Sequence, residues 1–173
     1  MVTKRVANSM LVLRIVALAT AAASMALLVT NKYKFDSGAE VKYQDFNTYS
    51  LEVAIAAITC LYCIVQLPFA IYYAIRERRL IDNEFLPEFD FYGDKVTSMV
   101  LGIGIGAGFA LSVELKKFIE ERVKDEYGFR STYGKILIRG FVATAFLLVS
   151  FLSMALVSFI SSNNRTKKQH SYY

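Results

Sequence analysis

Asp94–Val113 reads DKVTSMVLGIGIGAGFALSV, an apolar run whose ionisable residues are confined to its first two positions. A helix of about 20 such residues crosses a hydrocarbon core about 30 Å thick. Three further runs of the same kind lie around it: Met10–Thr30 (MLVLRIVALATAAASMALLVT), Ser50–Ile75 (SLEVAIAAITCLYCIVQLPFAIYYAI) and Ile136–Ser161 (ILIRGFVATAFLLVSFLSMALVSFIS). Charged stretches separate them, which is how successive membrane spans read. The chain is 55% hydrophobic with a mean hydropathy of +0.37, above the usual soluble domain. The expected fold class is therefore all-α, an integral membrane four-helix bundle with both ends on one side. Residues 1–9 form the N-terminal segment, 10–161 the membrane domain with spans at 10–30, 50–75, 94–113 and 136–161, and 162–173 a polar, basic tail expected to be disordered.

The first run competes with a secretory signal, because Lys4 and Arg5 precede it and ATAAAS resembles a cleavage region. Arg14 interrupts the would-be apolar segment, and the run continues through Met25–Val29, so a retained span is the expectation. Pro68 falls inside the second run, where a membrane helix tolerates proline with a kink. Tyr72 and Tyr73 suit an interfacial aromatic belt.

The net charge of +5 comes from Lys and Arg residues in loops and tails. These flank spans in the ordinary way, so the lipid bilayer is the expected partner and no nucleic acid is. Cys60 and Cys63 sit within a span, and the single histidine, His170, lies in the tail. No second Cys pair completes a zinc site, no paired histidines could ligate haem, and no Ser/His/Asp set appears. The expectation is no enzyme: catalytic none, cofactors none, metal none.

Ionisable residues inside spans usually face the bundle interior and pair. Arg14 lies about one turn into the first span and Asp94 begins the third from the same side. An Arg14–Asp94 intramembrane pair is geometrically allowed, against the alternative that Arg14 snorkels and Asp94 caps a helix. Glu52, Glu114 and Arg139 belong to the other leaflet, either as a second charge cluster or as three separate interfacial charges. Gly102, Gly104, Gly106 and Gly108 form two overlapping GxxxG pairs that allow close helix packing. They match neither dinucleotide nor Walker spacing.

Phe89–Lys116, FDFYGDKVTSMVLGIGIGAGFALSVELK, resembles the third-span region of the plant CASP-like proteins. These are relatives of the Casparian strip membrane domain proteins and, more distantly, of the MARVEL-type four-span proteins. That family carries an Arg in the first span and an Asp in the third, and Arg14 and Asp94 stand at those places, which favours their pairing. The resemblance implies a plasma-membrane, multi-pass protein with both termini cytosolic that forms homo- and hetero-oligomers with other CASP-like proteins. It also implies a non-enzymatic scaffold that organises membrane platforms linked to local cell-wall modification. The first outer loop, Lys32–Tyr49, lacks the signature stretch of the founding members, neither outer loop has a cysteine, and the chain has no tryptophan. The general scaffold role is thus implied rather than the Casparian-strip role.

Lys and Arg are spread almost evenly over the two sides, so the positive-inside rule gives little bias. The RERR run at 76–79 and the basic tail abut their spans and favour cytosolic termini. Asn164-Arg165-Thr166 is a glycosylation triplet that stays unmodified in that orientation. The alternative function is a small transporter or channel subunit, which would need charges such as Arg14, Asp94 and Glu114 to line a path.

Overall fold

The computed structural model describes residues 4–34, 40–76, 85–122 and 129–169. Four helices dominate: α1 (Lys4–Val29), α2 (Asn47–Arg76), α3 (Phe85–Arg122) and α4 (Phe129–Gln169). Each contains a stretch long and apolar enough to cross a membrane: Arg5–Val29, Asn47–Ile75, Phe89–Phe118 and Tyr133–Asn163. The chain is a four-span membrane protein.

α1 packs against α2 and α4, and α3 packs against the same two helices, so α1/α3 and α2/α4 are the diagonals of the bundle. Two contacts fix the register of the antiparallel α1–α4 pair. Asn31, just beyond α1, donates to the carbonyl of Ile136, and Ser150 donates to the carbonyl of Ala17. Moving back 14 residues from Asn31 to Ala17 moves forward 14 along α4 from Ile136 to Ser150. Buried hydroxyls elsewhere turn back on their own helix: Thr59 on the Ile55 carbonyl and Ser112 on the Gly108 carbonyl.

The helices run past the spans read from hydropathy. α3 begins at Phe85, in a stretch expected to be loop, and Pro87 is tolerated there because first-turn amides have no intrahelical partner. α4 continues to Gln169, through most of the tail expected to be disordered. No Gly or Pro follows Gly140 to stop it; residues 170–173 lie outside the described residues. At 38 and 41 residues, α3 and α4 extend to roughly 57 and 62 Å, about twice the hydrocarbon thickness. α2 continues through Pro68.

A small feature joins α1 to α2. β1 (Lys32–Lys34) pairs antiparallel with β2 (Glu40–Lys42), with Tyr33 opposite Val41. A 3-10 turn over Tyr43–Asp45 follows, and the Asp45 carboxylate accepts from the Lys42 amide at 2.7 Å. The alternation in KYK and EVK is the sequence signal for this pair.

The burial pattern is that of a protein whose solvent is lipid. Ile58, Leu61, Ile75, Ile103, Ile138 and Phe159 point outward, where in water they would form a large apolar patch. The interior holds Arg14, Glu52, Gln66, Asp94, Thr144 and Ser150. Between the polar ends lies an apolar middle of Ala17, Ile55, Cys63, Leu101, Ile105, Leu147 and Met154. Gly104 brings α3 onto Ile55, whose Cδ1 would stand 2.9 Å from an added Cβ. Because that atom ends a flexible side chain, Gly104→Ala is expected to lower the thermal midpoint by only a few degrees in detergent.

Candidate functional site

At the end of the bundle shared by the N-terminus of α1 and the start of α3, one polar cluster ties three helices together. Arg14 is 3% exposed and Asp94 0%. Arg14 Nη2 lies 2.8 and 3.1 Å from the two Asp94 oxygens, and Nη1 donates to Gln66 Oε1 at 3.1 Å. Tyr62, one turn before Gln66 on α2, donates to Asp94 Oδ1 at 2.7 Å, and Gln66 Nε2 reaches the Tyr62 hydroxyl at 3.3 Å. Both Asp94 oxygens are thereby met by donors. The guanidinium crosses the α1/α3 diagonal while α2 supplies the flanking amide and phenol. Gly93 makes room: an added Cβ would lie 2.6 Å from the Tyr62 oxygen. Tyr62→Phe removes one charge-assisted donor, so a loss of about 1.5–3 kcal/mol is expected, read as earlier unfolding in a denaturant titration.

At the opposite end, Glu52 is completely buried. Thr144 of α4 donates to its Oε1 at 2.8 Å, across the α2/α4 diagonal. The same hydroxyl lies 3.0 Å from the Gly140 carbonyl. Glu52 rests against Gly108, where an added Cβ would collide with the carboxylate and stand 2.7 Å from Thr144 Oγ1. One turn outward, the Tyr49 ring fits against Gly140, which has no room for a side chain either. Leu28, Ile136 and Ala143 pack with Tyr49 in a second apolar cluster.

These positions sort the residues singled out in the sequence. Arg14 and Asp94 meet. Glu52 faces the interior, whereas Glu114 and Arg139 lie at exposed positions. Gly104 and Gly108 face α2, Gly102 lies 3.6 Å from the Phe151 ring of α4, and Gly106 has nothing within 4 Å. Cys63 is buried in the apolar middle and Cys60 half-buried, both free. Sequence reasoning passed over Tyr62, Gln66, Thr144, Gly93 and Gly140. A glutamine in an apolar run was the one visible signal among them.

The Casparian strip membrane protein domain matches residues 3–128, which include Arg14, Glu52, Tyr62, Gln66 and Asp94. The chain belongs to that family. Among curated relatives of this CASP-like chain is the CASP-like protein 4D1 of Ricinus communis, 28% identical with 88% of each chain covered. The CASP-like protein 4D2 of Arabidopsis lyrata subsp. lyrata is 32% identical, over 89% of this chain and 87% of the relative. The CASP-like protein 4D1 of Populus trichocarpa is 32% identical, over 84% and 85%. No solved structure matches this CASP-like chain significantly.

Proposed function

We propose that this CASP-like protein is a non-enzymatic scaffold of the plasma membrane, with both termini cytosolic, that self-associates and joins related chains into platforms linked to local cell-wall modification. The observation that supports this most is the construction of the bundle. Polar side chains bond across both diagonals, Arg14 to Asp94 and Thr144 to Glu52, and an apolar layer separates the two clusters. A bundle locked at both ends suits a rigid building block. The lipid-facing aliphatic surface, with Ile58, Leu61 and Ile103 more than half exposed, is where other copies would meet it. In this reading, Arg14–Asp94 is a structural staple, residues 10–161 are the working unit, and family membership supports the rest.

Fluorescence recovery after photobleaching of the tagged protein in a plant plasma membrane tests the proposal. Clustered signal with slow recovery is expected. Uniform signal that recovers as fast as a monomeric four-span marker rejects it.

A further inference from the structure

The half of the bundle that holds the end of α1 and the start of α2, the outer half in the orientation proposed above, buries oxygen atoms that have no hydrogen-bond partner among the described residues: Ser24 Oγ, Asn31 Oδ1, Tyr49 Oη and Glu52 Oε2. They do not lie at random. Asn31 sits on the carbonyl of Ile136, Tyr49 on Gly140 and Glu52 on Thr144. Residues 136, 140 and 144 follow one another at one-turn intervals of about 6 Å along one face of α4. Ser24, seven residues before Asn31, falls opposite residue 143 in the same α1–α4 register. These polar groups therefore step inward from that end of the bundle as far as Glu52, beyond which Ile55, Ile105 and Leu147 line the interior and the buried hydroxyls of Thr59 and Ser150 are bonded to helix carbonyls.

A carboxylate buried in a bundle is very costly unless a positive charge or a full set of donors meets it. Asp94 has both, with Arg14 and Tyr62 on its oxygens. Glu52 has one hydroxyl on Oε1. Among the described residues, the groups facing it are Gly108 of α3 and Thr144 of α4, with Tyr49 one turn away on its own helix and Ser24 at that depth on α1; Arg139 and Glu114 are exposed. None of the facing groups carries a positive charge.

We propose that Glu52 is the ligand of a single small cation held inside the outer half of the bundle, with Thr144, Tyr49 and Asn31 marking its route from the outer aqueous face. The contact of the carboxylate with Gly108 and Thr144 leaves little room at Oε1. That favours a proton on the carboxyl; an alkali metal ion supplies the same charge by the other route.

The test uses the full chain in lipid nanodiscs. If the cation is a proton, infrared spectra at neutral pH contain a carboxylic-acid C=O band that Thr144→Val shifts, that Glu52→Gln removes and that disappears as pH rises. The thermal midpoint falls over the same pH interval, because the proton is bound only while the bundle is folded. If the cation is a metal ion, that band is absent. The midpoint of the wild-type protein then rises saturably with sodium or potassium chloride, relative to choline chloride, and Glu52→Gln abolishes the rise. A wild-type protein with neither the acid band nor an alkali-dependent midpoint overturns the proposal without recourse to any variant. A band that Glu52→Gln leaves in place belongs to another carboxyl and overturns it as well.

Discussion

Arg14→Leu alone is expected to destabilise the bundle by about 3–5 kcal/mol, the cost of removing one member of a buried ion pair. The substitution strips the second donor from Asp94 Oδ1 and the sole described donor from Oδ2, while Gln66 Oε1 loses the Nη1 hydrogen bond. The completely buried carboxylate keeps only the Tyr62 hydroxyl. Asp94→Leu produces the converse fault, a buried guanidinium with Gln66 as its remaining described partner. The double variant Arg14→Leu/Asp94→Leu removes both charges, and Gln66 still has the Tyr62 hydroxyl to bond. It is expected to recover at least about 2 kcal/mol relative to the sum of the single losses. Denaturant titration in detergent measures all three proteins. Single losses that simply add in the double variant would show that Arg14 and Asp94 do not stabilise one another, whatever their separation.

Four long apolar runs identify the four helices because the bilayer imposes its length on any helix that crosses it. Hydropathy is silent about where a helix ends once outside the lipid. This is why Phe85–Gly93 and Ser162–Gln169 read as connection and tail while the backbone is helical there. Arg14 and Asp94 stand out in the sequence because each is a charge in an apolar run. Tyr62 and Thr144 do not stand out, since tyrosines and threonines are common in membrane helices and only three-dimensional packing aims them at Asp94 and Glu52. Depth in the membrane was likewise legible for Glu52, Glu114 and Arg139, whereas the side of the helix that each occupies was not. Gly108 and Glu114 differ by six residues, or about 240° around an ideal helix. The face of α3 that receives Glu52 is therefore not the face that bears Glu114. The two overlapping glycine pairs are a further case. Both satisfy GxxxG, yet Gly104 and Gly108 meet α2 while Gly106 meets nothing within 4 Å.

That difference makes the second large effect a matter of sign. Gly108→Ala is expected to destabilise the protein by about 1–3 kcal/mol or more, the range for overpacking a filled interior. The new methyl would coincide with the Glu52 carboxylate and stand 2.7 Å from both its Cδ and Thr144 Oγ1. Glu52 cannot simply swing aside, because it is completely buried, and moving it sacrifices the Thr144 hydrogen bond. Gly106→Ala, half a turn away, adds a methyl to open space and gains the helix preference of alanine over glycine, up to about 1 kcal/mol. It is expected to be neutral or stabilising. Thermal midpoints of the two variants in the same detergent compare them directly, and equal losses would mean that α3 is rotated relative to the arrangement described. Adding Glu52→Ala to Gly108→Ala removes the atoms that the methyl strikes, leaving only the hydroxyl of Thr144 to adjust. The double variant should then lose less than the sum of its parts. If it does, the glycine at 108 is there to seat a carboxyl group inside the bundle, and the demand it meets is set by Glu52 rather than by helix approach alone.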